Sequence, residues 1–301
     1  MKNVYFDSTL TEPERRGKLY HGSIFVFSPT PGTSELCAFG RELAEEAFYP
    51  LDPRTAHREM PVERFVAILS ELKPKFIHHP RSKALLQKVL LEKGYDPDGD
   101  YFDIPRMRTS APSDYLTSGI AYAFHPHRDT WYSAPMCQLN YWLPMYPLDP
   151  GHCMAFHPRF FSQGLKNGSA AYNYQEWMKT SRLEAAKHIH KDTRQQPKPE
   201  EDVDFEPSIR LLPPVGGMIL FSGAQLHSSV PNQTGVTRLS IDFRSVNLGD
   251  VAGFKGAPNV DSDCTGTSLR DFLRIRDCER MPEELAVPYD GPIPQGKNGK
   301  T

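Results

Sequence analysis

The chain has 301 residues, 39% hydrophobic and 24% charged, with a formal net charge of −2. That suits one soluble globular unit large enough to bury a sizeable core, and the near-neutral balance gives no electrostatic footprint for nucleic acid. No stretch is long enough to span a bilayer, and Met1–Asp7 lacks the apolar region of a secretory signal, so no membrane partner is expected and the cytoplasm is the default compartment. Five scattered cysteines (Cys37, Cys137, Cys153, Cys264, Cys278) form no Cys-x-x-Cys and read as free thiols in a reducing compartment.

Twenty-eight prolines predict many loops and short strands rather than a helical bundle. The first strand is expected over Ser23–Phe27, ended by Pro29 and Pro31-Gly32. Ser34 then stands as the N-cap of a helix over about 35–48, with Leu36, Phe39, Leu43 and Phe48 as its apolar stripe. A second helix is expected to begin at Pro61, with Phe65, Val66, Ile68 and Leu69 inward. A third runs from about Ser82 to Lys93 and stops at Gly94. These helices are expected to cover the outer face of a sheet.

Strand character takes over from about residue 98. Tyr101–Pro105 and Ile120–Phe124 lead into His127-Arg128-Asp129. Side chains two apart on a strand share a face, so His127 and Asp129 would point together. His227 follows the apolar run Gly217–Phe221 and offers a third ligand from a distant strand. Two imidazoles and one carboxylate on one face of a metal leave three positions open, the arrangement that non-haem Fe(II) oxygenases use. His125, His78-His79, His188, His152 and His157 lack an acid at that spacing, and they and His190 read as surface or hydrogen-bonded core residues.

Two further strands carry a polar face. In Met136–Pro144, residues Cys137, Leu139, Tyr141 and Leu143 face one way, and Gln138, Asn140 and Trp142 the other. An apolar back and a polar-aromatic front fit a barrel whose inside is a binding site. In Arg238–Arg244, Leu239, Ile241 and Phe243 form one face and Arg238, Ser240, Asp242 and Arg244 the other. Such a polar face is costly when buried without partners. An anion accepting from Arg238 and Ser240 removes that cost, because the guanidinium fork grips a carboxylate through two parallel hydrogen bonds. An ion pair between Arg238 and Asp242 is the structural alternative.

The full pattern resembles the Fe(II)/2-oxoglutarate-dependent dioxygenases: His-x-Asp, a long gap, His227, then Arg238-x-Ser240 eleven residues on. The Gly216–Phe221 strand before the distal histidine and the Val230-Pro231-Asn232 turn after it are similar to the phytanoyl-CoA-hydroxylase-like branch, over about residues 120–247. The resemblance implies a double-stranded β-helix (jelly roll, cupin-like), mainly β with N-terminal helices packed outside and a helical insertion. It implies Fe(II) on His127, Asp129 and His227, with 2-oxoglutarate and O₂ as co-substrates. Arg238 and Ser240 would anchor 2-oxoglutarate with Asn140 or Gln138, and a small-molecule substrate would lie near Thr130, Trp131, Tyr132, Trp142 and Arg244. Hydroxylation is the expected outcome, with succinate and CO₂ released. Phe156-His157-Pro158-Arg159 stands where many relatives carry Pro-Gly-Ser-His, which leaves the subfamily open.

One catalytic domain is expected over 1–301: mainly helical support at 1–97, a core at 98–250 with an insertion at about 160–208, and a C-terminal extension at 251–301. The insertion, with a helix over Tyr172–Lys191 and an acidic, proline-bearing loop, is the candidate lid. A short helix is expected near Ser268–Ile275, and frayed residues at the C-terminus. Two other classes stay open: a non-catalytic jelly-roll binding protein, and an O₂-independent cupin-like metalloenzyme in which Arg238 would grip the substrate.

Overall fold

The computed structural model describes residues 3–113, 115–116, 125–180 and 196–292. In chain order the strands are β1 (Val4–Phe6), β2 (Ile24–Phe27), β3 (Asp100–Phe102), β4 (Arg106–Ser110), β5 (Leu139–Pro144), β6 (Met154–Phe156), β7 (Ile209–Leu211), β8 (Met218–Ser222), β9 (His227–Ser229), β10 (Arg238–Asn247) and β11 (Leu273–Arg274). The helices are α1 (Glu12–Leu19), α2 (Pro31–Phe48), α3 (Val62–His78), α4 (Pro80–Glu92), α5 (Tyr174–Thr180), α6 (Leu248–Ala252) and α7 (Glu283–Ala286). The larger sheet runs β1-β2-β8-β5-β10-β3-β11, with β4 also on β10; the smaller runs β7-β6-β9. Together they form the two faces of a jelly roll.

Alternation along β5 and β10 divides the apolar material between two layers. Leu139, Tyr141, Leu143, Leu239, Ile241 and Phe243 join Leu36, Phe39, Phe65, Leu69 and Leu86 of the helices in one core behind the larger sheet. Trp142, Ile219 and Phe221 point the other way and meet Met154, Phe156 and Leu211 of the smaller sheet. The helices therefore hold the back of the sheet, and its front is left for the site.

Several boundaries depart from the expectation. Pro31 opens α2 instead of closing the preceding strand, because the first helical position needs no N–H donor. Thr30, not Ser34, is the cap, accepting from the Thr33 backbone N–H. Pro80 opens α4 in the same way, with His79 Nδ1 accepting from Arg81 N at 3.1 Å. The helix expected near Ser268–Ile275 is a 3₁₀ turn, Leu269–Asp271, followed by β11, whose Leu273 pairs with Phe102. The expected strand Ile120–Phe124 and the second half of the 172–191 helix lie outside the described residues. All five cysteines are free, and among the described residues no helix is long and apolar enough to cross a membrane.

Glu12 is nearly buried on α1, with Arg16 Nε at 3.4 Å. Burial, then the Asp100 carboxylate, pushes its carboxyl up to about 7. A raised folded-state value means that the stability this group contributes is present at low pH and is lost as pH rises through about 7. Melting temperatures measured from pH 4.5 to 7.5 are expected to fall more steeply for the wild type than for Glu12→Gln. Parallel curves would rule this out.

Candidate metal centre

His127 and His227 meet because their backbones pair. His127 N donates to the His227 carbonyl at 2.9 Å and His227 N to the His127 carbonyl at 3.0 Å, a single antiparallel bridge beside β9. The ring centroids then lie 4.4 Å apart. Each Nδ1 is 2.9–3.0 Å from the carbonyl two residues upstream, His125 O for His127 and Gln225 O for His227. A carbonyl can only accept, so both rings carry their proton on Nδ1 and present the Nε2 lone pair. Burial pushes both imidazoles down, His227 to about 3. They stay neutral, as metal ligands must.

Asp129 does not continue a strand. It opens a 3₁₀ turn, Asp129–Tyr132, after the extended Arg128. One extended residue between them is enough to bring Asp129 Oδ1 to 3.7 Å from His127 Nε2 and 3.9 Å from His227 Nε2. The three donor atoms lie within 4.8 Å of one another, close enough to converge on one ion. Burial opposes the charged carboxylate, but the Arg244 guanidinium holds it well below the usual range.

The second carboxylate oxygen is committed elsewhere. Asp129 Oδ2 accepts from Gln138 Nε2 at 3.1 Å, Asn140 Nδ2 at 3.0 Å and Arg244 Nε at 3.3 Å. Gln138 Nε2 also reaches Asn140 Oδ1 at 2.9 Å. Gln138 and Asn140, expected to touch the co-substrate, thus spend their amides orienting Asp129. Arg244, expected near the substrate, spends its guanidinium on Asp129, Asp103 and Asp242. The effect is to reserve Oδ1 for the imidazole side.

Arg238 lies buried at the head of β10, its guanidinium carbon 5.4 Å from the centre of the Trp142 ring. Nη1 donates to the His152 carbonyl at 2.9 Å and Nη2 to Ser229 Oγ at 3.2 Å. Among the described residues no carboxylate pairs with it: the expected alternative, Asp242, is taken by Arg108 and Arg244. Among the described residues its Nε and the Oγ of the fully buried Ser240 have no hydrogen-bond partner. Burial pushes this guanidinium down to about 10. A cavity of about 100 Å³ brings together the three candidate ligands, Asn140, Arg238, Trp142, Arg108, Asp242 and Arg244.

The residues after Asp129 separate. Trp131 is fully buried away from the cavity, against Phe160, Leu165 and Leu226, with Nε1 donating to Asp261 at 2.8 Å. Thr130 is buried too, its carbonyl accepting from Cys264 Sγ. The 3₁₀ turn carries both behind the site, so neither is placed to touch a substrate. Tyr132 alone stays beside it, edge-on to His127 at 5.7 Å, with its hydroxyl 3.2 Å from the Pro197 carbonyl of the insertion. His152 and His157 are structural, bonding Asp149 N and Thr234, and Phe205 O and Ser228, respectively.

Two elements of the site escaped the sequence reading. Arg108 enters the cavity from β4, although the alternation Arg106-Met107-Arg108-Thr109 carries a period-two signal. Arg128, between the two ligands, is 1% exposed and donates to Asp261, Ala224 O, Phe160 O and Gln163 O. It ties the ligand turn to the C-terminal extension.

The fold aligns with EvdO2 from Micromonospora carbonacea var. aurantiaca over 58% of this chain and 62% of that one, at 14% identity and a TM-score of 0.37. It aligns with SnoN, described as an epimerase and solved with Fe³⁺, α-ketoglutarate and nogalamycin RO, over 78% and 84% of the two chains (14% identity, TM-score 0.38). AviO1 from Streptomyces viridochromogenes Tue57 aligns over 79% and 96% (12% identity, TM-score 0.39). The chain thus spans less than two thirds of EvdO2. No protein-family model and no curated protein matches the chain.

Two variants probe the supports without touching a candidate ligand. Asn140→Ala removes one of three donors from Asp129 and is expected to lower metal affinity about 10–100-fold by calorimetric titration. Unchanged affinity would show that the carboxylate needs no such support. Asp261→Ala strands a buried guanidinium and should cost about 3–5 kcal/mol in denaturant unfolding. A loss under about 1 kcal/mol, the range of exposed pairs, would mean that Arg128 is held by its carbonyl partners alone.

Proposed function

We propose that this protein is an Fe(II)- and 2-oxoglutarate-dependent oxygenase that hydroxylates an unactivated C–H bond of a small molecule. His127, Asp129 and His227 would hold the ion. The observation that carries the reading is the buried Arg238 guanidinium, which lines the same cavity as that triad and whose Nε has no hydrogen-bond partner among the described residues; Ser240 Oγ, fully buried on the same strand, lacks one there too. Each unmade hydrogen bond costs about 1–3 kcal/mol. A compact dicarboxylate that reaches Arg238 with one end and the metal with the other supplies an acceptor to the guanidinium that no carboxylate of the described residues pairs.

Bound iron supplies the activation of O₂, with 2-oxoglutarate decarboxylated to succinate and CO₂. The protein's own side chains position and exclude. Asn140, Gln138 and Arg244 keep Asp129 bound through one oxygen, which leaves coordination positions open. Phe221, edge-on to His227 at 4.9 Å, and Trp142 under Arg238 supply apolar walls that keep water from the ligands. The substrate itself would enter past Tyr132, which stands edge-on to His127.

Anaerobic addition of Fe(II) and 2-oxoglutarate to the apoprotein should give the visible charge-transfer band of a chelated complex. The band should vanish in His227→Ala, and Arg238→Ala should raise the 2-oxoglutarate concentration needed by about tenfold or more, the worth of a charge-assisted hydrogen bond. Iron binding without the band would overturn the oxygenase reading in favour of an O₂-independent metalloenzyme. The band without succinate release across a metabolite screen would favour a binding protein.

A further inference from the structure

A ladder of alternating charge runs up to the cavity, where Arg244, Asp242 and Arg108 line one wall. Arg106 pairs with Asp103, Asp103 with Arg244 at 3.4 Å, Arg244 with Asp242 at 3.4 Å, and Asp242 with Arg108 at 3.0 Å. Arg244 also reaches Asp129 at 3.3 Å. Three guanidinium groups thus face three carboxylates, and the wall is neutral.

Loading the site as proposed above breaks that balance. A divalent cation is neutralised by Asp129 and one carboxylate of 2-oxoglutarate, and Arg238 neutralises the other. Arg106, Arg108 and Arg244 then face only Asp103 and Asp242, a surplus of one positive charge. Of the two guanidinium groups that end the ladder, Arg106 and Arg108, only Arg108 lines the cavity. Its Nε is held 3.0–3.1 Å from both oxygens of Asp242, while neither Nη has a hydrogen-bond partner among the described residues. Its side chain lines the cavity and is 35% exposed, so those two donors can be reached.

We propose that Arg108 is the substrate anchor and that the substrate carries an anionic group (a carboxylate, a phosphate ester or a sulfate ester) gripped by its two Nη atoms. A planar fork already fixed at Nε loses little freedom on binding such a group, which makes the pair strong and directional. The assignment rests on the oxygenase reading, and the test separates the two.

Zinc-loaded protein saturated with 2-oxoglutarate cannot turn over. With its arginines labelled with ¹³C and ¹⁵N, it would be titrated with benzoate, phenyl phosphate, phenyl sulfate and neutral benzamide. At least one anion should shift the guanidinium signal that is missing in Arg108→Gln, and benzamide should not. Calorimetry should show the affinity for that anion falling about tenfold or more in Arg108→Gln, with a smaller loss in Arg108→Lys, which keeps the charge but not the fork. Asp242 keeps Arg244 in both variants, and circular dichroism would verify their folding. Anion binding unchanged in Arg108→Gln overturns the proposal. A fall in 2-oxoglutarate affinity in Arg108→Gln as large as that in Arg238→Ala overturns it too, by assigning Arg108 to the co-substrate. If 2-oxoglutarate does not bind the wild type, the oxygenase reading fails on its own. The same anion titration of the zinc protein then decides Arg108: a shifted signal upholds the anion site, and none overturns it.

Discussion

Two reciprocal hydrogen bonds between the backbones of His127 and His227 are the constraint on which the site depends. They join segments a hundred residues apart and set both rings side by side before any ion is considered. Each ring's remaining freedom is then removed by a carbonyl two residues upstream, which fixes the proton on Nδ1. Only Asp129 has to be placed by side chains, and Gln138, Asn140 and Arg244 place it. The fold thus positions the histidines with its backbone and the carboxylate with its polar wall. Preorganisation of this kind means that a binding ion would not have to assemble its own ligands.

Much of this was legible in the sequence because period-two alternation is a local property. Cys137, Leu139, Tyr141 and Leu143 could be assigned to one side of β5 and Gln138, Asn140 and Trp142 to the other, and the structure divides them so. The same holds for Leu239, Ile241 and Phe243 against the charged side of β10. What alternation cannot tell is what a polar side chain does once it faces inward. Gln138, Asn140 and Arg244 do face the site, but Asp129 arrives from another element and claims them first. Trp131 and Thr130 failed for a related reason: proximity in sequence to Asp129 was read as proximity to its cavity, and a 3₁₀ turn carries them behind it. Arg108 was lost with β4, where a short run bounded by Pro105 gave the eye little length to work with.

The polar wall also shows how burial of charge is managed here. Arg244 faces three aspartates and Asp242 two arginines, so each of these two stays paired when one partner is lost. Arg238 is the exception. It is buried, held only by a carbonyl and a hydroxyl, and faces no carboxylate among the described residues. A fold selected for stability alone would have paired it or replaced it with an apolar residue.

The tie between Arg128 and Asp261 sets the order in which the site can come together. A chain leaving the ribosome exposes its N-terminal parts first. Here β2 must wait for β8, since Phe25 pairs with Leu220, and the ligand turn at 127–129 must wait for both His227 and Asp261. The helices of the first hundred residues can form early, but their sheet cannot close, and the guanidinium between the two ligands has no carboxylate until nearly nine-tenths of the chain has emerged. Contacts of such long sequence separation are slow to form. The candidate metal centre therefore acquires its shape late, only once Asp261 has joined Arg128.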